Sequence, residues 1–177
     1  MTEFNYADYM QMLATANKLL KHDPEGEKHF YKVSSLINLD ELLQGLNQAE
    51  FPALCLVDSP EGRLTDRDSS NLLDVQYFYF FVIDKAEMDD AASRKLAIDG
   101  SRTIIKQLLS RMFRDKVKEQ QNSLLTPAYG IRNLNRDSIS YKAVGPIADN
   151  CFGLWASFTL PESSDIKYNA DDWENIS

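Results

Sequence analysis

Histidine and cysteine are scarce, with two of each in 177 residues, and that scarcity removes most metal and thiol chemistry at the outset. Cys55 and Cys151 each lie inside an apolar run (Ala53-Leu54-Cys55-Leu56-Val57 and Cys151-Phe152-Gly153-Leu154-Trp155). There a thiol reads as a small buried hydrophobe rather than half of a disulfide or a nucleophile. A reducing compartment is the default that follows. Neither cysteine has a C-x-x-C partner, so no zinc ligand set is expected. His22 and His29 flank a turn, lack the i, i+4 spacing of a helical metal pair, and read as solvated loop residues. Gly130, Gly145 and Gly153 are far apart and none opens a helix, so no phosphate-cradling loop is predicted. No apolar stretch approaches the ~18 residues that cross a bilayer, and no membrane partner is expected. Glu3 and Asp8, with no basic run near them, argue against a signal peptide. Basic charge is also short: the formal net charge of −8 argues against a general or sequence-specific nucleic-acid binder, which needs a basic footprint.

What is present is an uninterrupted strand signal. Residues 75–83, Val-Gln-Tyr-Phe-Tyr-Phe-Phe-Val-Ile, are strand-compatible throughout, without Gly or Pro. Such a run is soluble only with both faces covered, so it predicts a central strand. A helix over about 89–118 follows, with Ala97, Ser101, Ile104, Leu108 and Met112 on one stripe and Ile98, Ile105 and Leu109 beside it. Gly100 and Ser101 are small, which predicts close approach of that helix to the sheet. The expected fold class is α+β: a mixed or antiparallel sheet around a long aromatic strand, covered by the long helix and by N-terminal helices.

The remaining elements are shorter. Tyr6, Tyr9, Leu13, Ala16 and Leu20 mark one helical face, broken by Asp23-Pro24-Glu25-Gly26. Phe30-Tyr31-Lys32-Val33 reads as a short strand. Asn38 and Glu41 form a capping-box pattern that opens a helix through Leu42, Leu43 and Leu46 to about Gln48. Residues 53–57 read as a buried strand. Residues 58–74 carry turn chemistry and then the polar Thr65-Asp66-Arg67-Asp68-Ser69-Ser70-Asn71, which predicts a long exposed hairpin connection. Ile139, Tyr141 and Ala143 alternate as in a half-exposed strand, a turn over 144–150 follows, and 152–160 form a last apolar strand ended by Pro161. One α+β domain over 1–161 and an acidic arm over 162–177 are predicted.

Charge is segregated along the chain. The long helix carries Arg94, Lys95, Arg102, Lys106, Arg111, Arg114, Lys116 and Lys118 against Asp99, Asp115 and Glu119, leaving 11 Lys and Arg against 24 Asp and Glu elsewhere. A solvated face, an acidic protein partner and a nucleic-acid face all remain open for it. The arm has the opposite surplus around Tyr168 and Trp173, and aromatics in a polar segment call for a docking surface. Arg94, Arg102, Lys106 and Arg114, the loop cluster Asp66-Arg67-Asp68, and Tyr168 with Trp173 are therefore the candidate partner interface. A nuclease centre would need a carboxylate two residues before a lysine on one strand face. Here Asp84 and Lys85 are adjacent and point to opposite faces, and Asp58, Asp66 and Asp68 show no ligand spacing. No G-x-S-x-G elbow or triad pattern is present, and no catalytic residue, cofactor or metal is expected.

The order helix, strand, long hairpin, aromatic strand, crossing helix and final hairpin resembles the tail-terminator and tail-completion (minor tail) proteins of tailed bacteriophages. The resemblance is carried by residues 51–57, 75–85, 89–118 and 141–160 with its Gly-Pro…Asn-Cys-Phe-Gly turn, about half of the chain. It implies a non-enzymatic homo-oligomeric ring, commonly a hexamer, that caps the tail tube and meets other tail or neck proteins. Its place would be the bacterial cytoplasm during assembly and then the virion. The long N-terminal segment and the acidic arm depart from that pattern. A basic helix on an acidic body suits a head-to-tail interface, where one patch complements a different patch on the neighbour, and an acidic lumen would let DNA slide without sticking. Two rivals stand beside it: an intracellular protein-binding or adaptor domain of inhibitor type, and a metal-dependent enzyme whose carboxylates meet only in three dimensions.

Overall fold

The computed structural model describes residues 4–34, 48–68, 71–121, 129–147 and 150–164. In chain order these form α1 (Tyr6–Ala16), β1 (Phe30–Val33), β2 (Ala53–Asp68), β3 (Asn71–Lys85), α2 (Ala91–Gln121), a 3-10 turn (Tyr129–Asn133), β4 (Asn135–Ile147) and β5 (Cys151–Ser164). The fold is α+β. The described strands form one mixed sheet of five in the order β1-β2-β3-β5-β4, with β1 parallel to β2 and every other pair antiparallel. The aromatic strand β3 is the middle one, hydrogen-bonded to β2 on one side and β5 on the other.

Alternation along β3 separates two cores. Phe80 and Val82, with Phe78 partly buried beside them, join Leu54, Leu56, Leu154, Ala156, Phe158 and Leu160 under the helices. Both α1 (Tyr9, Met10, Leu13, Ala14) and α2 (Ile104, Ile105, Leu108, Met112) pack into that one cluster, so the two described helices share a face. Each fully buried side chain of this size contributes about 1.5–3 kcal/mol. On the other face Cys55, Val57, Phe81, Ile83 and Cys151 form a smaller cluster flanked by Phe51, Tyr79 and Trp155. Both cysteines are buried there, and burial pushes the Cys55 thiol up to about 12. The helix expected over 38–48 falls almost wholly outside the described residues.

Local chemistry explains the helix ends. Asn5 caps α1 by accepting the Asp8 N–H at 3.1 Å. Asn17 is extended, and its side-chain oxygen takes the N–H groups of Leu19 and Leu20 at 2.9 and 3.1 Å. That Asx-type turn stops the helix at Ala16, so Leu20 is buried beyond the helix end and Ala16 is exposed. In α2 the predicted stripe is buried, but the close approach belongs to Ser101 alone. A Cβ added at Gly153 would collide with the Val82 carbonyl and lie 2.9 Å from the Ser101 hydroxyl, whereas one at Gly100 would meet nothing.

The segment expected as an exposed connection over 58–74 is strand instead. β2 breaks register between Val57 and Glu61, a bulge that absorbs Asp58, Ser59 and Pro60, then resumes pairing from Glu61↔Tyr77 to Asp68↔Asn71. Likewise β5 does not stop at Pro161: Glu162, Ser163 and Ser164 pair with Asp74, Leu73 and Leu72. The sheet therefore takes the first three residues of the predicted arm, and 165–177 lie outside the described residues.

Candidate functional site

The outward face of α2 is where the basic charge collects. Thr103, Lys106, Gln107, Ser110, Arg111 and Arg114 line a shallow open cavity of about 510 Å³. Arg111 reaches both carboxylate oxygens of Asp115 at 2.9 and 3.0 Å, and Tyr9 of α1 donates its hydroxyl to the same carboxylate at 3.1 Å. Burial, then the Asp115 charge, raises the Tyr9 phenol well above its ordinary range. Gln107 accepts from the Asn17 amide at 3.0 Å, a second tie between the helices. Lys106 and Arg114 have no ion pair among the described residues.

The four predicted basic residues do not form one patch. Arg94 donates to the Met88 carbonyl and sits 6.0 Å over the Phe152 ring, and a helical rise of about 1.5 Å per residue places it roughly 18 Å from Lys106 along the axis. Arg102 is bound to Asp99 at 2.6 Å. Lys106 and Arg114 remain as open charge, joined by Arg111, which the interface expectation passed over. The spacing 103/106/107/110/111/114, a polar stripe opposite the apolar one, was the sequence signal for this cavity.

Asp66, Arg67 and Asp68 sit at the far end of β2, with a further register break between Asp66 and Asp68. Asp66 pairs with Leu72, eight residues or about 26 Å along β3 from Phe80 under the helices. These residues and the α2 cavity are thus separate surfaces. Tyr168 and Trp173 lie outside the described residues.

The hairpin end forms a surface of its own. Beyond the bulge no described side chain of β2 (61–66), and none of β3 before Phe78 (72–77), is buried, although Leu64, Leu72, Leu73, Val75 and Tyr77 are among them. Leu64 is 54% exposed. β1 ends opposite Val57, so the outer edge of β2 beyond the bulge has no strand partner among the described residues. On the helix-free side, Arg63, Thr65, Val75, Tyr77, Ser157 and Thr159 line a groove of about 440 Å³. At its base Tyr79 stacks on Trp155 at 5.6 Å, Lys142 lies 4.7 Å over that indole, and burial followed by a hydrogen bond to Glu61 pushes the Tyr79 phenol up to about 12.

The histidines are a correction to the sequence reading. His22 is 5% exposed and His29 6%. The His29 backbone N–H donates to His22 Nδ1 at 3.2 Å, and His29 Nδ1 meets the Pro52 carbonyl at 2.9 Å. His22 Nε2 is buried without an acceptor among the described residues, and burial, then the neighbouring His29, lowers the His22 pKa. Their role is to hold the α1–β1 turn against the start of β2.

The carboxylates considered for metal chemistry are dispersed. Asp58 faces Lys32 at 3.9 Å, while Asp84 accepts the Lys85 N–H at 2.8 Å, with its pKa raised by burial and partly restored by that bond. Among the described residues no three or more His, Cys, Asp or Glu could hold a metal ion, and no helix is long and apolar enough to cross a membrane. Comparison with protein-family models, with curated proteins and with solved structures gives no match.

Proposed function

We propose that this chain is a non-enzymatic structural protein that assembles head to tail with copies of itself into a ring, as the likeness to phage tail terminators implies, and then meets other tail or neck proteins. The observation that carries the reading is the hairpin end: apolar side chains on β2 and β3 that the described chain leaves exposed (Leu64) or only half-buried (Leu73, Val75, Tyr77), along a strand edge with no strand partner among the described residues. A monomer would hold Leu64 in water and leave Leu73 and Val75 half-buried, whereas a neighbour would complete their burial. The separate basic face of α2 supports a heterologous contact, because two unlike patches are what a closed ring requires.

Light scattering on the purified chain across a hundredfold concentration range tests this. A single assembled mass, an integral multiple of 20.2 kDa that persists on dilution, is the expected result. A monomer at every concentration would sink the self-assembly reading and leave the adaptor domain, whose exposed hairpin captures an unrelated protein.

A further inference from the structure

We infer that the basic cavity on α2 is the receptor for the acidic segment 165–177 of a second copy of this chain; this rests on the self-assembly reading. The receptor half is built from Lys106, Arg111 and Arg114, with the hydroxyls of Thr103 and Ser110 and the amide of Gln107 around them. Arg111 is paired with Asp115, which it shares with Tyr9, while Lys106 and Arg114 have no ion pair among the described residues. On a chain of net charge −8 these two open cations select an acidic occupant.

The chain carries a segment of the matching kind. Residues 165–177 hold Asp165, Asp171, Asp172 and Glu174 against Lys167, with Trp173 inside the cluster. The aliphatic stems of Lys106 and Arg114 give an indole a floor, and a guanidinium over its face adds cation–π attraction. An aromatic anchor ringed by steering charges is the usual composition of an interface hot spot.

The root of the segment favours a neighbour over its own subunit. β5 runs towards the hairpin end, and its described part ends at Ser164, opposite Leu72. From Ser164 to Trp173 the chain spans at most about 32 Å. The strand path back from Leu72 to Phe80 is already about 26 Å, and the helix layer, roughly 10 Å across, stands between there and the outer face of α2. On its own subunit the acidic cluster reaches that face only near full extension, whereas on the next subunit of a ring it arrives from the hairpin side.

Reciprocal charge reversal tests the assignment. One variant carries Lys106→Glu and Arg114→Glu, the other Asp171→Lys and Asp172→Lys, and matching circular dichroism and melting confirm that both fold. Each alone should dissociate on dilution at about tenfold or more higher concentration than the parent. An equimolar mixture should regain the parent mass, because in alternating order every arm then meets a face of opposite sign. Variants that keep the parent's mass and dilution behaviour would show that the arm does not use this face. A mixture that stays dissociated, while a chain bearing all four changes reassembles, would place the contact within one subunit. A parent that is monomeric throughout removes the self-assembly reading itself, a result distinct from both.

Discussion

The same three strands, β2, β3 and β5, build two regions that obey different rules. Around Phe80 the described sheet is five strands wide, the two described helices cover one face, and nearly every inward side chain is buried. Towards Leu72 only β2, β3 and β5 continue among the described strands, and the described side chains of β2 and β3 there are exposed or half-buried. The wide region is stabilised by burial. The narrow one is extended from it at little gain, which is the expected state of a surface kept for a partner. The contrast teaches that strand pairing and strand burial are separate properties of one ladder.

The largest break in this contrast comes from equal insults to the two regions. Phe80→Asp places a carboxylate where exposure is 0%, at a cost of several kcal/mol, and should abolish soluble folding as followed by solubility and circular dichroism. Leu64→Asp in the hairpin should leave melting within about 0.5 kcal/mol of the parent while lowering the assembled mass. A soluble, normally melting Phe80→Asp protein would show that the wide region is not the core.

A medium effect is expected where the helices are joined. Tyr9→Phe leaves one oxygen of buried Asp115 without its O–H donor and should cost about 1–3 kcal/mol in denaturant unfolding. Arg111→Gln should weaken both that tie and the α2 surface. Unchanged stability in Tyr9→Phe would mean that the phenol is not the restraint on α1.

The smallest effect is a pH dependence confined to the wide region. Protonating His22 would turn its Nδ1 from acceptor to donor against the His29 N–H. Because its folded pKa lies below the ordinary 6.5, the unfolded chain binds the extra proton first. Stability from this residue is present above pH ~6.5 and falls as pH drops from there towards the folded pKa. Denaturant midpoints at pH 7.5 and 5.5 should differ in the parent and differ less in His22→Gln. Equal differences in the two proteins would acquit His22.

Legibility followed the same division. The central strand and the buried stripe of α2 were readable because a continuous aromatic run and a 3.6-residue period are local signals that burial reinforces. The hairpin end was not, because a strand with no fully buried face shows no clean apolar alternation, and Asp58-Ser59-Pro60 signalled a turn where the chain makes a bulge. The histidines misled for another reason: His29 is fixed by the Pro52 carbonyl 23 residues away, a contact no local pattern announces. For the α2 surface, charge was countable but pairing was not, so Arg102 counted as open charge although Asp99 neutralises it.

The bond between Tyr9 and Asp115 spans 106 residues, and Tyr6 packs on Phe158, 5.6 Å away, in the last described strand. An eleven-residue helix is marginal by itself in water. On the ribosome α1 is therefore made before α2 and β5 and completed only after they emerge. Until they do, the aromatic strand lacks its second neighbour and part of its cover, so the vulnerable interval for this chain is the translation of its own final third.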